Sequence, residues 1–443
     1  MGSAEDCTVV QNIEIRPGYK LTEVGVIPDD WDVDAFGKLY AEPSRNGIYK
    51  SAEYQGRGIR IVNMGEMFGL DFISNQEMSR ISLTPKEIAT TGLRDGDLLF
   101  GRRSVVPAGA GKCSIVITPP EPVTFESSII RVRLNKAEVD PLFHYYFFAS
   151  SLGRTVMSNI ISGTNIKGIR GTELRELKIP RPPLPEQRSL AQALSDVDAL
   201  IAALDKLIAK KRHLKTATMQ QLLTGKKRLL GFGEGKGYKQ TAIGMIPEDW
   251  NVRCLGEVGQ SLIGLTYRPE DTRDYGTLVL RSSNVQNDRL AYENNVYVDS
   301  AMPLPSRVIV EEGDILICVR NGSKQLIGKC ALIDAEAAGS AFGAFMSVFR
   351  TKISSFVFYQ FQSDVIQTQI NEIMGATINQ ITNKDMAAFQ IPLPQSDEEQ
   401  REIANVLSDM DAEIAALETR LAKTQALKQG MMQELLTGKT RLV

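Results

Sequence analysis

Two related stretches decide how this chain folds: EQRSLAQALSDVDALIAAL, which begins at Glu186, and EQREIANVLSDMDAEIAAL, which begins at Glu399. Extended without a gap to 44 residues, they are identical at 26 positions. Further out, YKLTEVGVIPDDWDVDAFGKL at residues 19–39 returns as YKQTAIGMIPEDWNVRCLGEV at residues 238–258, with 10 of 21 positions identical. Self-similarity of this kind indicates a repeated structural unit. The 443-residue chain is therefore an internal duplication.

The two related stretches have the apolar pattern of long helices. Apolar residues recur at alternating steps of four and three, the spacing of a coiled-coil seam. Gly225 and Gly438 follow where a left-handed helix cap is expected. We predict helices at residues 186–224 and 399–437, each about 58 Å long. Such helices cannot bury their seams alone, so we expect them to pack against each other. The predicted seam residues are Leu190, Leu194, Val197, Ile201, Leu204 and Ile208, with Ile403, Leu407, Met410, Ile414, Leu417 and Leu421.

The regions between the repeated ends have a mixed pattern. Short apolar runs such as IIRVRL at residues 129–134 predict strands. PLFHYYFFASSLGRTVMSNI at residues 141–160 predicts a helix, and a similar helix is predicted at residues 355–374. We expect an α+β fold with two similar mixed α/β domains. The predicted segments are an N-terminal segment at 1–18, a first domain at 19–182, a first helix at 183–230, a glycine-rich hinge at 231–237, a second domain at 238–394 and a second helix at 395–443.

Composition excludes several classes of protein. With 43% hydrophobic and 23% charged residues, the chain is typical of globular proteins rather than disordered or membrane-embedded ones. Its net charge of 51 − 53 = −2 gives no global attraction to nucleic acid, although local basic patches fit that total. No apolar run reaches about 18 residues, and the start MGSAEDC lacks the apolar core of a signal peptide. We expect a cytoplasmic protein with no membrane segment.

Motifs for catalysis and for metal binding are missing. The sequence has no N-P-P-Y or D-P-P-Y of adenine methyltransferases, and AGAGKC at residues 108–113 lacks the first glycine of a phosphate-binding loop. The five cysteines form no C-x-x-C pair, and His144 and His213 lie far apart, so no metal site is expected. Cys113 and Cys330 are predicted to pack in strands, and His144 is predicted to be structural. No catalytic residue is predicted.

Basic and amide side chains occur in turns at equivalent places of the two domains. Arginine can donate two hydrogen bonds to guanine, asparagine and glutamine can pair with adenine in the same way, and lysine and serine more often hold phosphate. The alternative, that each is a solvated loop residue, stays open. The candidate DNA-binding residues are Arg57, Arg60, Asn63, Arg102, Arg103, Ser104, Asn165, Lys167 and Arg170 in the first domain, and Arg281, Asn284, Gln286, Arg320, Asn321, Ser323, Lys324, Asn379 and Gln380 in the second.

A separate basic segment lies at the end of the first long helix. From Asp205 to Arg228, eight basic residues accompany one acidic residue, a local charge of 8 − 1 = +7. The segment is either a patch that faces phosphates or a solvated helix end.

The repeated motifs resemble those of the specificity subunits of type I restriction–modification systems. The resemblance is carried by IPRPPLPEQRSLAQALSDVDALI and IPLPQSDEEQREIANVLSDMDAEI, by the Q-x-L-L-T-G-K that follows each of them, and by G-x-I-P-x-D-W at Gly25 and Gly244. CVRNGSKQLIGKCAL at residues 318–332 is similar to one class of recognition domain. The resemblance extends over nearly the whole chain, from Tyr19 to Leu442.

The resemblance implies a noncatalytic reader of double-stranded DNA. Each domain would recognise one half of an asymmetric bipartite site. The two helices, antiparallel in a coiled coil with pseudo-twofold symmetry, would set the spacing between the halves. Two methyltransferase subunits that carry S-adenosylmethionine would dock on the chain, and motor–nuclease subunits that use ATP and Mg²⁺ would join them for restriction.

Three other interpretations are open. A related type II system, whose nuclease and methyltransferase share one chain, would use a similar specificity subunit. A self-contained restriction or modification enzyme is disfavoured because catalytic motifs are missing. A scaffold that mimics a specificity subunit without reading DNA is disfavoured because the turns carry arginine rather than acidic residues.

Overall fold

The computed structural model describes residues 15–106, 109–374 and 380–442. Residues 1–14 of the predicted N-terminal segment lie outside these ranges. The chain forms two compact units, unit 1 consisting of Met1–Asp205 with Arg420–Val443, and unit 2 consisting of Lys206–Thr419. Each unit contains one strand-rich region and part of each long helix. The predicted segments kept helices and domains apart, whereas the structure joins them because both contribute apolar side chains to the same cores.

Unit 1 begins with short strands and continues into a sheet with helices packed on it. Its strands are β1 Tyr19–Thr22, β2 Gly25–Pro28, β3 Asp32–Ala35, β4 Tyr40–Asn46, β5 Gln55–Val62, β6 Phe72–Ile73, β7 Arg80–Ile81, β8 Leu98–Gly101, β9 Arg103–Ser104, β10 Cys113–Val116, β11 Val123–Phe125, β12 Ile129–Leu134, β13 Lys167–Gly168 and β14 Lys178–Arg181. Its helices are α1 Met64–Gly69, α2 Pro85–Thr91, α3 Pro141–Ala149, α4 Ser151–Ser158 and α5 Gly171–Glu176, followed by the first part of α6 Leu184–Leu222.

A five-stranded sheet in the order β4-β12-β8-β10-β6 forms the centre of unit 1. The strands from β4 to β10 in that order are antiparallel to one another, and β6 joins β10 in parallel. Every residue of β8 and β10 is buried. A strand that is covered on both faces has a continuous apolar sequence, which is why these strands could be predicted. A second sheet, β11-β5-β7, pairs β11 with β5 in parallel.

Unit 2 repeats this plan with different details. Its strands are β15 Tyr238–Thr241, β16 Gly244–Pro247, β17 Trp250–Cys254, β18 Gly259–Ile263, β19 Thr272–Arg273, β20 Thr277–Leu280, β21 Val285–Gln286, β22 Arg289–Leu290, β23 Tyr297–Val298, β24 Ile315–Cys318, β25 Cys330–Leu332, β26 Ala341–Phe342, β27 Met346–Thr351 and β28 Gln390–Pro394. Its helices are α7 Leu255–Val258, α8 Ser354–Gln362, α9 Asp364–Ile373 and α10 Asn383–Ala388, followed by α11 Asp397–Leu435, which ends in unit 1.

The central sheets of the two units share four strands, and among the described residues unit 2 has no counterpart of β6 in its central sheet. The antiparallel series β27-β24-β25 corresponds to β12-β8-β10, and β18 pairs with β27 as β4 pairs with β12. The parallel pair β20 and β26 corresponds to β5 and β11. The two units therefore share one frame, as the duplicated sequence predicts.

The long helices pair antiparallel inside each unit. In unit 1, Leu190 and Leu194 near the start of α6 share a core with Leu435 near the end of α11. In unit 2, Leu222 at the end of α6 shares a core with Leu407 of α11. Both helices are 39 residues long and begin and end two residues before the predicted bounds. In the described parts of the chain, no helix has the length and apolar character to span a membrane.

The predicted seam residues all lie on the covered side of these helices. Seven are buried: Leu190, Leu194, Leu204, Ile208, Ile403, Leu407 and Ile414. Five are half-buried: Val197, Ile201, Met410, Leu417 and Leu421. Gly225 and Gly438 follow the helix ends with φ of +69° each, the left-handed conformation that the sequence predicts at a cap.

A clamp around a buried tryptophan holds each helix start to the strands of its unit. In unit 1, Glu186 accepts hydrogen bonds from Trp31 Nε1 at 3.0 Å and from Arg441 Nη2 at 2.7 Å. In unit 2, Glu399 accepts hydrogen bonds from Trp250 Nε1 at 3.2 Å and from Arg228 Nη2 at 2.8 Å. The segment that ends the second repeat thus completes unit 1, and the one that ends the first repeat completes unit 2.

The predicted helix at residues 141–160 is two helices rather than one. The chain turns at Ser150, whose Oγ accepts a hydrogen bond from Gly153 N at 3.1 Å and caps α4. The same break occurs at Ser363 between α8 and α9. Serine favours the N-cap position because its side chain satisfies an amide that the helix leaves unpaired, so this single residue ends one helix and starts the next.

Candidate nucleic-acid interface

A basic cleft of about 950 Å³ in unit 1 brings together part of the predicted site. Strand β9 pairs with β13, so Arg103 lies opposite Gly168 and Ser104 opposite Lys167. Helix α5 follows β13 and adds a further wall. The basic side chains that line the cleft are Arg102, Arg103, Lys167, Arg170 and Arg175.

The cleft carries a positive charge because the acidic residue in its lining is neutralised by ion pairs with arginines of the neighbouring strand. Glu42 of β4 lines the cleft and forms ion pairs with Arg131 and, at 2.9 Å, with Arg133 of β12. Arg170 and Arg175 keep 76% and 68% of their side chains exposed. Their guanidinium groups can therefore reach an anionic or hydrogen-bonding ligand, such as the backbone or base edges of DNA.

The sequence did not lead us to predict Arg175, although a glycine that both repeats keep, Gly37, marks the place where this side chain passes. A Cβ on Gly37 would lie 2.1 Å from Cγ of Arg175, so only glycine lets this side chain pass into the cleft. The equivalent Gly256 faces Ala387 in unit 2. The glycine belongs to the shared frame, whereas the residue that it faces belongs to the variable surface.

Two predicted residues of unit 1 are buried and structural, and their prediction as DNA readers is wrong. Arg60 is 4% exposed, and its Nη1 donates to the carbonyl of Gln76 at 3.1 Å while its Nε lies 2.7 Å from Glu121. Ser104 is 7% exposed and bonds Val106 through its Oγ. Asn63 is half-buried and begins α1, with its backbone N–H bonded to the Glu66 carboxylate at 3.0 Å, and its role in DNA binding stays a prediction.

The remaining predicted residues of unit 1 lie outside the cleft lining. Arg57 is exposed on β5, and Asn165 is exposed on the loop before β13. Both can be reached by a ligand, but neither joins the group of side chains that faces the cleft.

Unit 2 places its predicted residues around the end of β24. Arg320 pairs with Gln380 in an isolated antiparallel bridge, the counterpart of the pairing of Arg103 with Gly168. Asn321 Nδ2 donates to Ser282 Oγ at 3.3 Å, and the exposed Ser323 and Lys324 follow. Asn379 lies outside the described residues.

A second cleft, of about 660 Å³, lies on this surface of unit 2. It is lined by Arg281 and Ser282 and by two aromatic residues, Tyr267 and Phe345, that the sequence analysis did not single out. Arg320 reaches Phe345 with its guanidinium carbon 5.7 Å from the ring centroid. The surface of unit 2 is therefore less basic and more aromatic than the cleft of unit 1.

Asn284 does not belong to this surface, and its prediction as a DNA reader is wrong. Asn284 is fully buried, where its Oδ1 accepts from Arg281 N at 3.0 Å and its Nδ2 donates to Ala291 O at 2.8 Å. Gln286 stands opposite Arg289 in the β21–β22 ladder. Gln286 is exposed, with its Nε2 3.4 Å from the Ser283 carbonyl, and its role in DNA binding stays a prediction.

The repeated Gly-Asp turns serve the frame rather than DNA. The carboxylate of Asp97 is fully buried and accepts two hydrogen bonds from Arg133, at 2.7 and 2.6 Å. Asp314 is bound in the same way by Arg350, at 2.8 and 2.7 Å. These turns position the strands β8 and β24, whose far ends carry Arg103 and Arg320.

Buried titratable groups in both units are poor candidates for catalysis. Burial raises the pKa of the Cys113 and Cys330 thiols well above the ordinary value, which disfavours a reactive thiolate. Burial also lowers the pKa of His144 to about 4 against a weaker opposing contact with the Asp140 carbonyl, so its imidazole is neutral near pH 7. Both cysteines pack in strands and His144 is structural, as predicted.

Four of the eight basic residues in the segment at the end of α6 pair with carboxylates of unit 2, namely Lys211, Arg212, Lys215 and Arg228. Lys211 pairs with Glu413 at 2.6 Å, and Lys215 pairs with Asp411 at 2.7 Å with only 11% of its side chain exposed. Arg228 is held by Glu399 and Asp249 in the tryptophan clamp. The other four, Lys206, Lys210, Lys226 and Lys227, are exposed, and for them both alternatives left by the sequence stay open.

Comparison with known proteins places the chain in a family. The sequence profile of the type I restriction modification DNA specificity domain matches it twice, at residues 42–211 and 247–428. The type I restriction enzyme MjaX specificity subunit of Methanocaldococcus jannaschii is 30% identical over 440 residues, which cover 96% of this chain and 97% of that protein. The MjaVIII specificity subunit of the same organism is 24% identical over 434 residues, 94% of each chain.

Solved structures share the fold. The S subunit of a type I restriction–modification system from M. genitalium has a TM-score of 0.55 at 16% identity, covering 91% of this chain and 96% of that chain. A chain from a study of complex assembly and conformational transition in the type I system has a TM-score of 0.53 at 17% identity, covering 94% and 99%. The predicted fold class is confirmed. With two matches to the domain profile and a relative similar over nearly its full length, this protein belongs to the family of type I restriction–modification specificity subunits.

Proposed function

We propose that this chain is the noncatalytic DNA-recognition subunit of a type I restriction–modification complex. Unit 1 reads one half of an asymmetric bipartite site, and unit 2 reads the other. The observation that carries the proposal is that equivalent exposed positions of the two units hold the same arginine but pair it with different residues. Arg103 and Arg320 occupy one such position, and Gly168 and Gln380 occupy the position paired with it.

The asymmetry of the site follows from the residues around this shared position. Unit 1 adds Arg170 and Arg175, which line its cleft. The aligned residues of unit 2 are Thr382 and Ala387. A frame that is common to both halves but carries different donors is suited to two different base sequences, because side-chain identity decides which base edges are matched.

The long helices set the distance between the half-sites and bind partner subunits. Leu207 and Leu214 of α6 lie seven residues apart in unit 2 and remain 38% and 50% exposed. Exposed leucines at helical spacing support docking of another protein. Two methyltransferase subunits with S-adenosylmethionine occupy such surfaces, and motor–nuclease subunits with ATP and Mg²⁺ join them in the cytoplasm.

The decisive experiment is co-expression with the methyltransferase encoded beside this chain, followed by mapping of methylated adenines across the host genome. We expect a split motif that disappears when this chain is omitted. A stable complex that methylates no specific sequence would contradict the proposal.

Matched arginine variants in the same experiment assign the two halves. Arg320→Ala is expected to relax the second half-site and Arg103→Ala the first, each by about 1–3 kcal/mol of discrimination. Lys324→Ala serves as the control, because the loss of a phosphate contact weakens binding to all sequences alike. An unchanged motif and rate in Arg320→Ala would contradict the assignment of this surface.

A further inference from the structure

Phe345 is an aromatic residue held rigidly on the reading surface of unit 2. It lies in the turn between β26 and β27 and is 60% exposed. The turn is fixed by backbone hydrogen bonds from Met346 N to Gly343 O and from Ala344 N to Leu265 O, both 2.9 Å. An exposed phenylalanine on a fixed turn is not packed against other apolar side chains of the fold. Its exposure therefore indicates a surface that contacts another molecule.

The same residue is tied to the predicted base reader of this unit. The carbonyl of Phe345 accepts a hydrogen bond from Arg320 N at 3.1 Å, and the Arg320 guanidinium carbon lies 5.7 Å from the ring centroid. A cation near an aromatic face is attracted by the ring quadrupole. The ring therefore favours a position of the guanidinium beside it, and both side chains are exposed.

Unit 1 has no such aromatic at the equivalent place. The carbonyl that accepts from the same strand end there belongs to Ser128, which bonds Arg102 N at 2.7 Å. The aromatic contact is thus a property of the second reader and not of the shared frame.

We propose that Arg320 and Phe345 read a two-base step in the second half-site, with Arg320 on a guanine and Phe345 against the 5-methyl group of an adjacent thymine. This inference rests on the proposed function. A phenyl ring cannot hydrogen-bond to phosphate or to base edges, and the apolar group that the major groove offers is the thymine methyl. The adjacent positions of the two side chains place their targets on neighbouring bases.

The test uses the complex of this chain with its methyltransferase and synthetic duplexes that carry the mapped site. Each thymine of the second half-site is replaced in turn by deoxyuridine, which removes only the 5-methyl group. At one thymine next to a guanine, we expect binding to weaken about fourfold, the factor that corresponds to one buried methyl-sized group at ~0.8 kcal/mol. Methylation should weaken in parallel.

Variants of the chain decide whether Phe345 makes the contact. Phe345→Ser, which installs the residue found at position 128, should bind thymine and deoxyuridine duplexes equally. Tyr275→Ser is the matched control, since Tyr275 is an 80% exposed aromatic of the same unit outside the cleft lining, and it should keep the fourfold difference. Phe345→Leu retains an apolar contact and should keep most of it.

Each contrary outcome has a distinct meaning. A second half-site with no methyl-sensitive thymine, or a Phe345→Ser complex that keeps the difference, overturns this inference while leaving the proposed function intact. Loss of the effect in Phe345→Leu as well would indicate ring stacking instead of methyl contact, and it also overturns the inference. A wild-type complex that methylates no specific site would instead mean failure of the proposed function.

Discussion

His144 shows how one buried residue makes the stability of unit 1 depend on pH. Burial lowers its pKa to about 4, whereas an unfolded histidine has a pKa of about 6.5. Between these values the unfolded chain binds a proton that the folded chain does not, so this contribution to stability is full above about pH 6.5 and is lost as pH falls toward 4. The counterpart of His144 on α8 is Val357.

Replacing His144 with the residue of the second copy should remove this dependence. We expect the free energy of unfolding of the wild-type chain to fall by about 1 kcal/mol from this group between pH 7.5 and pH 5.5, and His144→Val to lose that part of the change. Urea unfolding at both pH values measures it. Equal pH dependence in the two proteins would contradict the assignment.

The residue scale is also where prediction from sequence was weakest. Arg60 and Arg103 are both arginines near strand ends, yet one is buried beside Glu121 and the other lines a cleft. Residue type and turn context indicate which chemistry is available, but the pleat decides which face a side chain takes, and a shift of one residue reverses it. Arg175 was missed because no turn motif marks a helix residue.

At the scale of elements, the β21–β22 hairpin fixes the second reader to a long helix. Asn287 and Asp288 form its two-residue turn with φ of +49° and +60°, the left-handed values that a tight hairpin requires. From the next residue, Arg289 Nη1 bonds Glu418 at 3.1 Å and Nη2 donates to the Asp411 carbonyl at 2.9 Å. The element therefore restrains the angle between the reading surface of unit 2 and α11.

Removing the contacts of Arg289 with α11 should change the preferred spacer length between the half-sites more than it changes the stability of the fold. Arg289→Ala removes the ion pair with Glu418, in which each side chain is about one third exposed. We therefore expect the free energy of unfolding to fall by less than ~1 kcal/mol. Methylation of sites with one base pair added or removed should rise about fivefold relative to the correct site, as for a restraint of ~1 kcal/mol. Arg212→Ala is the control, because it removes the other partner of Glu418, from α6. Unchanged spacer preference in Arg289→Ala would contradict this role.

Among the elements, the long helices and the central strands could be predicted and several junctions could not. A heptad pattern over 39 residues has no competing interpretation, so both helices were found within two residues. The breaks at Ser150 and Ser363 were missed because apolar residues recur on both sides of each break. The β21–β22 hairpin was missed because its strands are two residues long.

At the scale of the whole molecule, a net charge of −2 means that affinity for DNA must come from local surfaces. We expect the isolated chain to bind DNA weakly, and the complex with methyltransferase to bind more tightly and with strong salt dependence. Each phosphate contact contributes about 0.9 to the slope of log K against log salt. Arg170→Ala should lower that slope by about 0.9 in titrations of the complex.

Arg57 supplies the control for this experiment, because it is an exposed arginine of the same unit outside the cleft lining. Arg57→Ala should leave the slope unchanged. If both variants reduced it equally, the cleft would not be the surface that meets the phosphates.

The tryptophan clamp has a consequence for how the chain is made. Trp31 and Glu186 leave the ribosome early. Arg441, which closes their clamp, is added 441 − 181 = 260 residues after the last strand of unit 1, on the order of tens of seconds later at typical synthesis rates. Unit 2 receives its own clamp residues, Arg228 and Glu399, before that moment. During translation, the part of the protein that is made first is therefore the part that is finished last.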